Sequence, residues 1–109
     1  MDISRISTAE ALKLLEAQTT VFIDVRDPDS YRSSHIPGAL HVNDHNIEEF
    51  VASADKTRPH VVYCYHGYSS VGGAGYLLEQ GFTEVSSMDG GFSEWAQTYP
   101  EQVEAQVKA

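Results

Sequence analysis

The stretch His60-Val61-Val62-Tyr63-Cys64-Tyr65-His66-Gly67-Tyr68-Ser69-Ser70 passes from an apolar, β-branched run through a glycine-containing loop into a helix-like segment. A thiol at a strand-to-helix junction faces unpaired backbone N–H groups and the positive end of a helix dipole, and both favour the thiolate. Cys64 is the only cysteine in the chain, which makes the junction a candidate nucleophilic site. Free cysteine is also among the most often buried residues, where it packs as a small hydrophobe. The residues around Cys64, taken alone, support both readings.

Outward from this loop, strand-like and helix-like segments alternate. Ser7-Thr8-Ala9-Glu10 reads as a capping box, and Ala11, Leu12, Leu14 and Leu15 line one face of a first helix ending near Gln18. Val21 to Val25 reads as a strand buried on both faces, followed by a turn at Arg26-Asp27-Pro28-Asp29. A helical turn at Ser30 to Ser33, the irregular His35-Ile36-Pro37-Gly38, a brief strand at Leu40 to Val42 and a helix over Asn43 to Ala54 come next. Beyond the break at Thr57-Arg58-Pro59 lie the strand His60 to Tyr63, the Cys64 loop, a helix from Ser69 to Gln80 closed by Gly81, and a strand over Glu84 to Ser87. Gly72, Gly73 and Gly75 weaken that helix and are expected to allow close packing beneath the loop. The last helix follows Asp89-Gly90-Gly91 and is anchored by Phe92 and Trp95, after which a tail from Glu101 is free to fray. This order predicts an α/β fold, a small parallel sheet of about five strands with helices on both faces. Ligands of such sheets bind at the carboxyl ends of the strands, where Cys64 lies.

Size and charge narrow the possibilities. With 109 residues, 41% of them hydrophobic, the chain is expected to form one domain, its core over roughly 5–100 and its tail over 101–109. Seven basic against sixteen acidic side chains give a formal charge of −9, which argues against nucleic acid or an anionic membrane as partner. The start, Met1-Asp2-Ile3-Ser4-Arg5, has no basic region followed by an apolar stretch. No segment approaches the ~18 apolar residues of a membrane span, so a cytoplasmic protein is expected. A single cysteine allows neither an internal disulfide nor a CxxC pair, so sulfur chemistry at Cys64 has to be resolved by another molecule.

Three separate motifs carry a resemblance to the rhodanese family. Asp24-Val25-Arg26 with Tyr31-Arg32-Ser33-Ser34-His35-Ile36-Pro37-Gly38-Ala39 resembles its N-terminal signature, Asp89-Gly90-Gly91-Phe92-Ser93-Glu94-Trp95 resembles its C-terminal one, and Cys64 stands where the catalytic cysteine should. Cys64-Tyr65-His66-Gly67 and the serines that follow are most similar to the single-domain thiosulfate sulfurtransferases of that family. The resemblance implies a rhodanese fold in which Cys64 takes the outer sulfur of thiosulfate, releases sulfite, and hands the sulfur from a persulfide to cyanide or to a dithiol such as thioredoxin. Tyr65, His66, Gly67, Tyr68, Ser69 and Ser70 are then the substrate-binding loop. Backbone N–H groups converging on one point can stabilise the thiolate, Gly67 lets the loop curl, and the Ser69 and Ser70 hydroxyls can donate further hydrogen bonds. No cofactor is expected.

Other residues have plainer roles. Arg26 is expected to pair with Asp24, His35 to be a hydrogen-bonded structural histidine, and Tyr31 and Trp95 to be core anchors. His35, His41 and His45 are spaced suggestively for a metal, but the Pro37-Gly38 turn and an intervening strand separate them, and no metal is expected. The alternatives are a non-catalytic rhodanese-like docking module and a phosphatase of related fold. A phosphatase loop of the form C-x5-R beginning at Cys64 requires arginine at position 70, where this chain has Ser70. Many rhodaneses carry a cation in or just after the loop, whereas here His66 is the only candidate for positive charge. With a net charge of −9 this predicts weak binding of dianionic thiosulfate. Steady-state kinetics over a salt series test it: a KM in the low micromolar range that does not move with salt contradicts the expectation.

Overall fold

In the computed structural model, which describes residues 2–106, the apolar runs become strands and the capped segments helices. Their order is β1 (Ser4–Ile6), α1 (Thr8–Ala17), β2 (Val21–Asp24), α2 (Pro28–Ser33), β3 (Leu40–His41), α3 (Ile47–Ser53), β4 (His60–Tyr63), α4 (Ser69–Glu79), β5 (Val85–Met88) and α5 (Gly91–Thr98). The strands form one five-stranded sheet in the order β1-β5-β4-β2-β3, and every pairing is parallel. Successive residues of a strand face opposite sides. Phe22 of β2 and Val61 of β4 therefore join Ala11, Phe92 and Trp95 in one core layer, while Ile23 and Val62 join Ala74 and Leu77 in the other. Helices α1 and α5 cover the first face, and α3 and α4 the second. The expected doubly covered parallel sheet is thus present. No helix among the described residues is long and apolar enough to cross a membrane.

Several local expectations hold and others shift. The capping box forms as read: Glu10 N donates to Ser7 Oγ and Ser7 N to Glu10 Oε1, both at 3.1 Å. Helix α2 begins at Pro28 rather than Ser30, because Asp27 caps it by accepting from Ser30 N at 3.1 Å and Pro28 suits a first helical turn. Helix α3 begins at Ile47 rather than Asn43. The Asn43 side chain accepts from His45 N at 2.8 Å and Asn46 Oδ1 accepts from Asn43 N at 2.8 Å, a side-chain turn that competes with helix. Strand β1 carries no apolar run, since Ser4 and Arg5 are exposed at the sheet edge and only Ile6 is partly buried. The segment after Glu101 packs down instead of fraying as far as residue 106. Trp95 Nε1 donates to Gln102 O at 2.8 Å, His35 and Glu104 exchange two backbone hydrogen bonds of 2.9 Å, and Gln106 N donates to Arg32 O at 3.0 Å. Residues 107–109 of the expected tail lie outside the described ones.

Asp24 closes β2 with its side chain fully buried, and Arg26 answers it at 2.7 Å with its own side chain 3% exposed. The same carboxylate accepts from Arg26 N at 2.8 Å, the guanidinium donates to Ser34 O at 2.6 Å, and its carbon sits 4.1 Å from the Phe92 ring centre. The expected structural ion pair is therefore also a brace between β2, α2 and α5. Removing one partner of such a pair strands a buried charge. Arg26→Ala is expected to lower the unfolding free energy by about 3–5 kcal/mol in urea denaturation, and a loss under about 1 kcal/mol would show that the brace is dispensable.

Candidate active site

Cys64 is the first residue beyond β4, whose four residues are all buried. The chain then turns back on itself at Gly67, where φ is +93° and a Cβ would stand 3.0 Å from Gly90 N and 3.2 Å from Met88 O. Both the backbone conformation and the close approach require glycine there. After this curl the loop runs into the first turn of α4. Gly67 N lies 3.2 Å from Cys64 Sγ, Ser70 N 3.3 Å and Ser70 Oγ 3.3 Å. The sulfur is thus surrounded by donors in a site where Cys64 is only 4% exposed. Burial pushes the thiol up, but hydrogen bonds from the Ser69 and Ser70 hydroxyls and from the Ser70 and Gly67 amides outweigh it and bring Cys64 down to about 7.

The start of α5 grips the same loop from the other side. Phe92 N donates to Cys64 O at 2.8 Å and Ser93 N to Tyr65 O at 3.0 Å. This approach is possible because Gly91, with φ +61°, has no side chain, since a Cβ would stand 2.3 Å from Tyr65 O. The Asp89-Gly90-Gly91 motif therefore sets the loop as well as opening the last helix.

The expected loop residues divide into three groups. Gly67 and Ser70 touch the sulfur directly, and Ser69, the exposed first residue of α4, contributes its hydroxyl. Tyr65 and His66 are exposed and border a groove of about 430 Å³ whose other walls include Arg26, Ser30 and Phe92. The Tyr65 hydroxyl reaches the start of α2, contacting Ser30 Oγ and lying 3.3 Å from Asp27 Oδ1. Tyr68 points away, 82% exposed and outside that groove. A larger cavity of about 570 Å³ lies at the opposite end of the sheet beside Leu15, Thr20 and Leu40, away from Cys64.

Three further expectations meet the structure here. Of the glycines in α4 only Gly73 packs on the sheet beneath the loop, where a Cβ would be 3.3 Å from Val62; Gly75 faces Ile3, and Gly72 has nothing within 4 Å. His35 is structural, its Nδ1 2.6 Å from Tyr31 O and its ring stacked 4.0 Å from that of Tyr31. Trp95 is fully buried. Two contributors escaped the sequence reading. Gly91 was visible only as part of a motif, and Ser87, a buried serine within β5, gave no signal beyond a polar residue in a short strand.

The comparisons with known proteins agree with this fold. The profile of the rhodanese-like domain matches residues 7–98. The chain is 46% identical over 104 residues to thiosulfate sulfurtransferase GlpE of Pseudoalteromonas translucida, covering 95% of this chain and 99% of that one. It is 47% identical over 93 residues to the protein of the same name in Pseudomonas syringae pv. syringae, covering 85% and 88%. Among solved structures, the Alr3790 protein from Anabaena shares the fold with a TM-score of 0.82 at 24% identity, over 94% of each chain. With a profile reaching from α1 to α5 and relatives nearly half identical along most of their length, this chain belongs to the family of rhodanese-like domains.

Proposed function

We propose that the chain is a thiosulfate sulfurtransferase working as one rhodanese domain, with Cys64 as the residue that carries sulfur. The observation that carries this reading is the convergence of Gly67 N, Ser70 N and Ser70 Oγ on Sγ at 3.2, 3.3 and 3.3 Å. It is supported by the activity named in relatives 46% and 47% identical. Attack of the thiolate on the outer sulfur of thiosulfate forms a new S–S bond and breaks the old one, and sulfite leaves with the bonding pair. Cys64 is left as a persulfide. An acceptor, cyanide or a dithiol such as thioredoxin, then attacks the outer persulfide sulfur and returns Cys64 to the thiolate. No second cysteine is available for this step, and a reducing cytoplasm would supply a dithiol.

Anion binding at this site relies on the backbone and hydroxyl donors of the Cys64 loop. Arg26 borders the neighbouring groove, but its charge is answered by Asp24 at 2.7 Å. A docking module has no use for a buried thiol held near neutral pH. A phosphatase needs a guanidinium at position 70, where a fully buried serine contacts the sulfur instead.

Intact-protein mass spectrometry after incubation with thiosulfate tests the reading. A gain of about 32 Da, absent in Cys64→Ser and reversed by cyanide or dithiothreitol, is expected; an unchanged mass would point to the docking module. Because the thiolate is the attacking form and Cys64 is lowered to about 7, alkylation by iodoacetamide should rise through pH 7 and then level off. A midpoint near the ordinary thiol value of 9.0 would mean that the loop does not activate the sulfur.

A further inference from the structure

Ser87 lies in β5, on the strand that leads into the Asp89-Gly90-Gly91 motif, and is fully buried. Its Oγ is 2.8 Å from Ser70 Oγ, which is also fully buried and is 3.3 Å from Cys64 Sγ. Among the described residues Ser70 is the only hydrogen-bond partner of the Ser87 hydroxyl. Three atoms therefore stand in line, Ser87 Oγ, Ser70 Oγ and Sγ, joined by two links.

Counting protons along that line separates the two states of the cysteine. With a thiol there are three protons for two links, so one of them has no acceptor within the line. With a thiolate there are two protons for two links. Ser87 donates to Ser70, Ser70 donates to Sγ, and both hydroxyls are oriented toward the charge. We propose that Ser87 is a positioning residue for the nucleophile: by donating to Ser70 Oγ it commits the Ser70 proton to the sulfur.

The charged groups on the surrounding elements do not replace this effect. Arg26 and Asp24, beyond and at the end of β2, pair with one another, Asp89 after β5 is paired with Arg5 at 2.7 Å, and Glu94 of α5 accepts from Thr8. His66 of the loop is exposed. Ser87 does not itself touch the groove, so it acts through Ser70 alone.

The inference rests on Cys64 being the nucleophile, which the mass measurement tests separately. The experiment is the pH profile of Cys64 alkylation by iodoacetamide in the full chain, for wild type, Ser87→Ala, Ser70→Ala and the double variant. Ser87→Ala is expected to raise the midpoint by about half a pH unit, a roughly threefold smaller thiolate fraction below it. It should add nothing in the Ser70→Ala background. Ser87→Thr, which keeps the hydroxyl, should restore the midpoint, and Ser87→Gly provides a second hydroxyl-free variant if the alanine one does not fold. A profile of Ser87→Ala or Ser87→Gly superimposable on wild type overturns the proposal, as does an equal shift with and without Ser70. If wild type takes up no sulfur but the midpoint still moves with Ser87, the sulfurtransferase reading fails and the positioning role stands. An unmoved midpoint in a protein that does load sulfur removes the positioning role alone.

Discussion

Two backbone hydrogen bonds from the start of α5 fix everything else about the site: Phe92 N to Cys64 O and Ser93 N to Tyr65 O. Each contributes only about 0.5–1.5 kcal/mol net, but together they decide which way the loop peptides point. With both carbonyls turned toward α5, the chain can curl through Gly67 and bring later amides onto the sulfur. Gly91 permits this contact by having no Cβ, and Gly67 permits the matching approach to Met88 and Gly90. The two glycines are complementary halves of one backbone junction.

The site stabilises an anion with oriented dipoles in a chain of net charge −9. Fixed cations would gather any small anion, whereas converging N–H and O–H groups favour a charge at one point. The one guanidinium bordering the neighbouring groove is held by a buried carboxylate and lies against the Phe92 ring, so it shapes the site more than it charges it. The acidic surface and the donor-lined sulfur thus act at different ranges, the first on approach and the second on contact.

Much of this could be read from the sequence because the features were local. The capping box at Ser7, the alternating faces of Val61 and Val62, and the strand-to-helix junction at Cys64 depend on neighbours only a few positions away. Features created by distant segments were not legible. Strand β1 exists because Ser4 to Ile6 meets Ser86 to Met88, with no hydrophobic run of its own. Asn43 and Asn46 are a local exception: they read as the start of a helix, yet their side chains close a competing turn. The tail is held by a pairing of Glu104 with His35 that no periodicity announces. Ser87 belongs to the same class, since its meaning comes only from lying against Ser70.

The clamp on the Cys64 loop also imposes an order on the making of the protein. The sulfur and its amide donors occupy residues 64–70, but the groups that seat them, Ser87, Gly91, Phe92 and Ser93, come from β5 and α5. The edge pairing of Ser4 with Ser86 likewise waits for late sequence, the kind of long-range closure that slows folding. On a ribosome the cysteine emerges well before the elements that activate it, at ~5–20 residues per second. During that interval it is an ordinary, mostly protonated thiol. The donors that favour the thiolate arrive only with the completed fold, so a chain truncated before β5 and α5 carries the cysteine without its seat.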